Sequence, residues 1–381
     1  MRAIIWIFFF HLIGLAYYVL ITDITLAVAL AIILSFAFCA VPMFFATDEF
    51  EIYVKKQSDL SIDGTSLKTF AFFLSLPLVI LVYERTIYGF EITLNPVAMR
   101  DQMLQRHRDG GGGGILAIIG NLLNVSAMYF FLKYLLLEKT KTSKTLISGL
   151  YILGSAWIGG SRALLLVILL ILWTKNNLKF PSLKSLLTLG VMFFVLTYVF
   201  VLRADRSDIE FSAYMYRIFD HLRISYDSVG ATVISSIVGP VFLSIGYIIH
   251  SVESLGRILL ADVNHGISLS PLIHFFNLFS ELDNSKYGYH GLFITSFGLF
   301  YHDLGAIGVS IILVIKCLVM YYASRMKDSF LAMSIVLILT VDSVMGMWTS
   351  VINLLFVSYV ILALVFVALF QRIRFNFRKK Y

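Results

Sequence analysis

Charge is what this sequence has least of. Asp, Glu, Lys and Arg make up 14% of its 381 residues, while 59% are hydrophobic. A soluble domain cannot bury that much apolar surface. Stretches of about 20 mostly apolar residues, the length that crosses the ~30 Å hydrocarbon core, recur along the chain. Cysteine is nearly absent too. Cys39 and Cys317 are the two, both inside apolar segments, so neither a disulfide framework nor a metal site can be argued from them. No basic run sits on a soluble stretch, so the net charge of +7 carries no nucleic-acid signature. There is no internal repeat, and the one low-complexity run is the pentaglycine at 110–114. Only Arg2 precedes the first apolar run, with no small-residue cleavage site after it. That segment reads as a first membrane helix and not as a removed signal peptide.

What is present is a series of apolar segments, at roughly 3–22, 24–46, 69–83, 115–137, 145–159, 162–174, 185–202, 291–323, 330–349 and 350–370. The sequence therefore predicts an all-α, polytopic membrane protein of about ten spans (ten to twelve), forming a single integral membrane domain over 1–381. The short basic stretches EKTKTSK (138–144), TKNNLKFPSLK (174–184), SRMKDS (324–329) and RIRFNFRKK (372–380) mark the cytoplasmic side. Loop 47–68, with Lys55, Lys56 and Lys68, fits that side as well. Both termini are then cytoplasmic, and residues 145–174 form a hairpin of two short helices turning at IGGSRA. The opposite side holds loop 84–114 and one large loop, about 203–290. The apolar part of the latter, near 231–250, contains Gly239-Pro240 and is read as an amphipathic or re-entrant helix, not as a span.

Lys and Arg divide by side. The cytoplasmic set has 12 Lys and 5 Arg, and the outer set has 10 Arg (residues 85, 100, 106, 108, 162, 203, 206, 217, 223 and 257) with only Lys286. Topology selection favours positive charge inside but does not call for Arg outside. A guanidinium holds phosphate or carboxylate through two parallel hydrogen bonds, whereas an ammonium is a point charge. The outer arginines thus point to a phosphate- or carboxylate-bearing ligand, against the plainer reading that they pair with acidic residues of their own loops. Arg106 and Arg108 run into the pentaglycine. Arg203 and Arg206, three apart after a span, share one face if the helix continues. Arg162, at the mouth of an apolar helix in GGSRALLL, is unfavourable for the helix dipole and costly to bury, and is the sharpest single binding candidate.

A second constellation is HGLFITSFGLFYHDLGAIG (290–308). His302 and Asp303 interrupt an apolar segment, with Tyr301 and His290 close in sequence. His290, His302 and Asp303 are candidate general bases for a hydroxyl, although adjacent residues point to different helix faces. Gly298, Gly305 and Gly308 permit an irregular backbone, which is tolerated at membrane depth only beside protein or a wet cavity. Asp342, in LTVDSVMGMW, is a further buried charge that could simply offset Lys316.

GGSRALLL, a large outer loop and then TSFGLFYHDLGAIG resemble the oligosaccharide repeat-unit polymerases of the Wzy type, the O-antigen polymerases. Gly160, Ser161 and Arg162 match a Gly-Ser-Arg-like turn of that family. Tyr301, Asp303 and Gly305 match a late Tyr-x-Asp-Phe-Gly-like segment, with Leu304 where Phe is usual. The resemblance implies a GT-C-like glycosyltransferase of the bacterial inner membrane with a periplasmic site. It would move a glycan from undecaprenyl pyrophosphate onto the next lipid-linked repeat unit, without a metal or other cofactor. The implied partners are the undecaprenyl-pyrophosphate-linked oligosaccharide and the bilayer, with a chain-length regulator and a flippase alongside. Arg162, Arg203, Arg206, Arg106, Arg108 and Tyr301 would bind the pyrophosphate.

Three rival functions stay open. A lipid-linked oligosaccharide flippase also needs a cationic cavity. An O-antigen ligase shares the layout. A membrane O-acyltransferase would need a catalytic His near the cytoplasmic face, for which His11 is the candidate. The threading itself is testable. In a background lacking Cys39 and Cys317, single cysteines at Gly112 and Ser212 should react with an impermeant thiol reagent in intact spheroplasts. A cysteine at Lys141 should not, and labelling there would overturn the topology.

Overall fold

The computed structural model describes residues 2–21, 25–46, 239–260, 295–326 and 330–348. It also describes residues 75, 76, 78–80, 82, 83, 86, 87, 102, 147, 150, 151, 173, 174, 178 and 232. The continuous segments form five helices: α1 (Arg2–Ile21), α2 (Leu26–Phe44), α3 (Gly239–Leu260), α4 (Ser296–Arg325) and α5 (Phe330–Met345). Three stretches, Arg2–Leu20, Leu26–Phe44 and Leu304–Arg325, are long and apolar enough to cross a membrane. The expected spans between 69 and 202, the span 350–370 and both proposed outer loops, apart from α3 and the single residues named, lie outside the described residues.

α1 and α2 form as the sequence predicts. Thr25 caps α2 by accepting a hydrogen bond from the Val28 N–H at 3.3 Å. Pro42 sits in the last turn, and the chain leaves the helix at Phe45. Only four residues separate α1 from α2, and the helices pack on each other through Phe8 with Phe36 and His11 with Ser35, so they run antiparallel. At the Arg2 end of α1, the Trp6 indole N–H donates to the Leu178 carbonyl at 2.9 Å, and its ring meets Trp173 at 4.5 Å. This brings Trp173 and Leu178 to the same end of the bundle as Arg2.

α3 differs from the expected 231–250 segment. It starts at Gly239 and runs 22 residues to Leu260. Gly239-Pro240, which lies inside the 231–250 segment expected from sequence, stands at the first residues of α3. There the missing proline N–H is one that has no helical partner in any case. α3 buries Ile249, Val252, Leu255 and Ile258. It joins the core of Tyr18, Val28, Ala31 and Phe38 supplied by α1 and α2.

The largest departure is in α4. A single apolar span over 291–323 is the sequence expectation. In a straight helix Ser296 and Lys316, 20 residues apart, would be about 30 Å apart. Their side chains instead lie 3.3 Å apart. The chain reverses at Gly305, whose backbone (φ 68°, ψ −172°) occupies a region open in practice only to glycine. α4 is therefore a hairpin with a short arm, residues 296–304, folded back on a long arm, residues 306–325. The short arm is capped by Thr295, which accepts from the Gly298 N–H at 2.9 Å. The long arm ends at Tyr321, Tyr322 and Arg325, with the guanidinium 3.5 Å above the Tyr321 ring. Such a group suits a helix end at the membrane–water boundary.

Gly305→Ala should cost about 1–3 kcal/mol, because alanine cannot adopt this backbone without strain. The check is the thermal-unfolding midpoint of the purified protein in detergent. An unchanged midpoint would argue against the reversal.

Candidate functional site

The hairpin and α5 converge on a buried ion pair. Lys316 lies near the middle of the long arm and Asp342 near the end of α5, with relative exposures of 4% and 0%. The Lys316 ammonium donates to Asp342 Oδ2 at 2.6 Å and to Ser296 Oγ at 3.3 Å. The Ser296 hydroxyl in turn donates to the same carboxylate oxygen at 3.2 Å. The ammonium also lies over the Phe38 ring of α2, 4.3 Å from its centroid, and 5.8 Å from that of Phe300 on the short arm. One cation thus contacts α2, the short arm and α5. The expectation that Asp342 offsets Lys316 holds.

Backbone geometry completes the junction. α5 ends at Met345, and residues 346–348 turn. The Ser296 N–H, unpartnered within its own helix at a first turn, donates to the Gly346 carbonyl at 2.8 Å. Ser251 of α3 donates to the Met347 carbonyl at 2.7 Å. A side chain at 346 would collide with Cys39 Sγ, so glycine lets this turn press against α2 and Ser296. The start of the short arm and the end of α5 therefore meet inside the protein, each supplying hydrogen bonds the other lacks. That is the condition under which broken helices are tolerated at membrane depth.

The predicted site residues divide into two groups. Tyr301, His302 and Asp303 lie on the short arm, immediately before the reversal. Tyr301 is half-buried and stacks on Phe297, with ring centroids 5.8 Å apart and planes 14° apart. His302 is buried. Asp303 is helical, so successive residues at 302 and 303 are rotated by about 100° about the arm axis. His290, Arg106, Arg108, Arg162, Arg203 and Arg206 lie outside the described residues. Of the ten outer arginines, Arg257 is described. It donates to Glu253, one helical turn away, at 2.9 Å, which is the plainer pairing considered for this set. His11 has both ring nitrogens engaged in the α1–α2 seam. Nδ1 lies 2.7 Å from the Ile7 carbonyl, so it carries the proton, and Nε2 accepts from Ser35 Oγ at 3.3 Å.

Sequence reasoning did not identify Ser296, Thr295 or Gly346. Two opposite charges in apolar segments were a usable signal for the pair. Nothing local signalled that a serine 20 residues before Lys316 would bridge it. No protein-family model matches the chain, and neither the curated proteins nor the solved structures include a match to it. The described part is all helical and fits a helical membrane protein.

Removing either charge alone leaves the other buried without a partner. Asp342→Asn and Lys316→Met should each destabilise the protein by about 3–5 kcal/mol. Both should lower the thermal-unfolding midpoint in detergent. Two unchanged midpoints would show that the pair is not held in a dry core.

Proposed function

We propose that this protein is a polymerase of O-antigen or another surface polysaccharide, a metal-independent glycosyltransferase of the bacterial inner membrane. It joins undecaprenyl-pyrophosphate-linked oligosaccharide repeat units at the periplasmic face. The supporting observation is that the segment carrying the resemblance, TSFGLFYHDLGAIG, is a broken helix with Tyr301, His302 and Asp303 just before a glycine-only reversal. Irregular backbone and ionisable side chains are both costly among apolar helices, and their coincidence usually marks function.

In this reading the acceptor hydroxyl gives its proton to His302, Asp303 or His290. Its oxygen bonds to the anomeric carbon of the donor glycan as the bond from that carbon to the pyrophosphate oxygen breaks. Undecaprenyl pyrophosphate leaves. Arg162, Arg203 and Arg206, with Arg106 and Arg108 closing over them and Tyr301 beside them, stabilise the negative charge that develops on the phosphate oxygens. Preorganised guanidiniums in a water-poor site do this well.

A second reading, transport of lipid-linked oligosaccharide, draws on a different observation. The Lys316–Asp342 pair sits where two helix ends meet. Broken helices with charges between them are also how many transporters build their sites. Proteoliposomes loaded with lipid-linked repeat units distinguish the two. A polymerase yields a ladder of lengthened lipid-linked glycan, and a transporter moves single units between leaflets without lengthening them. A ligase yields product only when lipid A core is supplied. Arg162→Lys should fail nearly as badly as Arg162→Ala in the ladder assay, at unchanged protein level, because the two-pronged hydrogen bonding is lost. Near-full polymer from the Lys variant would remove Arg162 from the pyrophosphate site.

A further inference from the structure

We infer that Lys316 and Asp342 are positioning residues. Acting through Ser296, they lock the short arm of α4 in place and so set where Tyr301, His302 and Asp303 stand. The inference rests on the polymerase reading for its link to activity, but the lock can be measured without it.

The geometry fixes the arm at both ends. At one end, Ser296 makes three bonds to elements other than its own arm: N–H to the Gly346 carbonyl, O–H to Asp342, and an acceptor contact from Lys316. At the other end, Gly305 dictates the reversal. Between them Phe297 and Phe300 pack on Phe38, with centroids 5.8 and 5.9 Å away. Lys316 lies over Phe38 as well, so the ammonium, the ring and the arm form one unit. The Ser296 end is held by groups distant in sequence, the Gly346 carbonyl and the ion pair, and of these only the ion pair grips the side chain. The residues from Tyr301 to Asp303 lie on the same short helix, five to seven positions further on. A shift at Ser296 therefore carries to them.

A purely structural ion pair and a positioning pair respond differently to removal of both charges. Buried pairs are often replaceable by apolar residues with little loss of stability. If the pair merely neutralises itself, Lys316→Met/Asp342→Leu should restore everything that the single variants lose. If it holds Ser296, the double variant should restore protein level alone.

Cys39 provides a native reporter. It is fully buried and touches the Gly346 turn to which Ser296 is tied. With Cys317 replaced by alanine it is the sole thiol of the chain. In isolated membranes the parent protein should react slowly with N-ethylmaleimide. The double variant should accumulate like the parent, react at least about tenfold faster as the arm opens, and make much shortened polymer. Ser296→Ala keeps both charges and removes only the bridge, and should show the same two changes to a smaller extent. It also serves as the test if the double variant fails to accumulate. Parental protection of Cys39 in these variants would overturn the lock. Faster labelling with parental polymer length would overturn the link to Tyr301, His302 and Asp303, and would leave the polymerase reading standing. Absence of polymer from the parent would sink that reading, while the Cys39 rates would still decide whether the arm is locked.

Discussion

A charge removed from water must find its opposite, and in this protein that requirement organises the described helices. Lys316 and Asp342 come from apolar segments 26 residues apart in sequence and meet at 2.6 Å. Attraction between unit charges is far stronger in a dry interior than in water, but so is the cost of losing hydration. The two nearly cancel unless hydrogen bonds satisfy what is left over. Ser296 supplies that remainder, and it reaches the pair only because α4 folds back on itself.

The reversal in turn determines what else can be built. A short helix beginning inside the protein exposes backbone N–H groups that lipid cannot satisfy. Here Thr295 takes one and the Gly346 carbonyl takes another. α5 ends where the short arm begins, so its turn faces the arm and α2 instead of lipid. Small residues make this possible: Gly346 admits Cys39 and Ser296 at close range, and Gly305 takes a backbone conformation that no other residue takes without strain. The same logic holds in the α1–α2 seam, where His11 is bonded to Ile7 and Ser35, and Tyr18 reaches the Ile249 carbonyl of α3 at 2.9 Å. Side chains that face away from these seams, such as Phe9, Leu12, Ile33 and Ile307, are apolar and exposed, as suits contact with lipid tails.

A break in a helix is a costly feature, and here it coincides with the segment whose residue pattern resembles that of repeat-unit polymerases. Tyr301, His302 and Asp303 follow directly on a helix start held by three elements. A donor glycan and an acceptor hydroxyl must be aligned to within a fraction of an ångström before a glycosyl group passes between them, and placement of this kind is worth several orders of magnitude in rate. In the polymerase reading proposed above, a short arm tied to α2, to the long arm and to the α5 turn would contribute to that placement.

Sequence alone determined the elements governed by short-range chemistry. Length and hydropathy gave α1 and α2 almost to the residue, because an apolar run of ~20 residues has no other way to satisfy its backbone in lipid. Lys316 and Asp342 were legible as candidates for each other, since unpaired charges are too costly to leave in apolar segments. The glycines of 298–308 were legible as a licence for irregular backbone. Only the tertiary structure decided that Gly305 uses the licence and the others do not, because a left-handed backbone becomes favourable only when distant groups reward the reversal. It likewise decided that Ser296 bridges the pair and that Gly239-Pro240 opens a helix packed on α2. Each of these rests on contacts between segments far apart in the chain, whose energy no local pattern of residues contains.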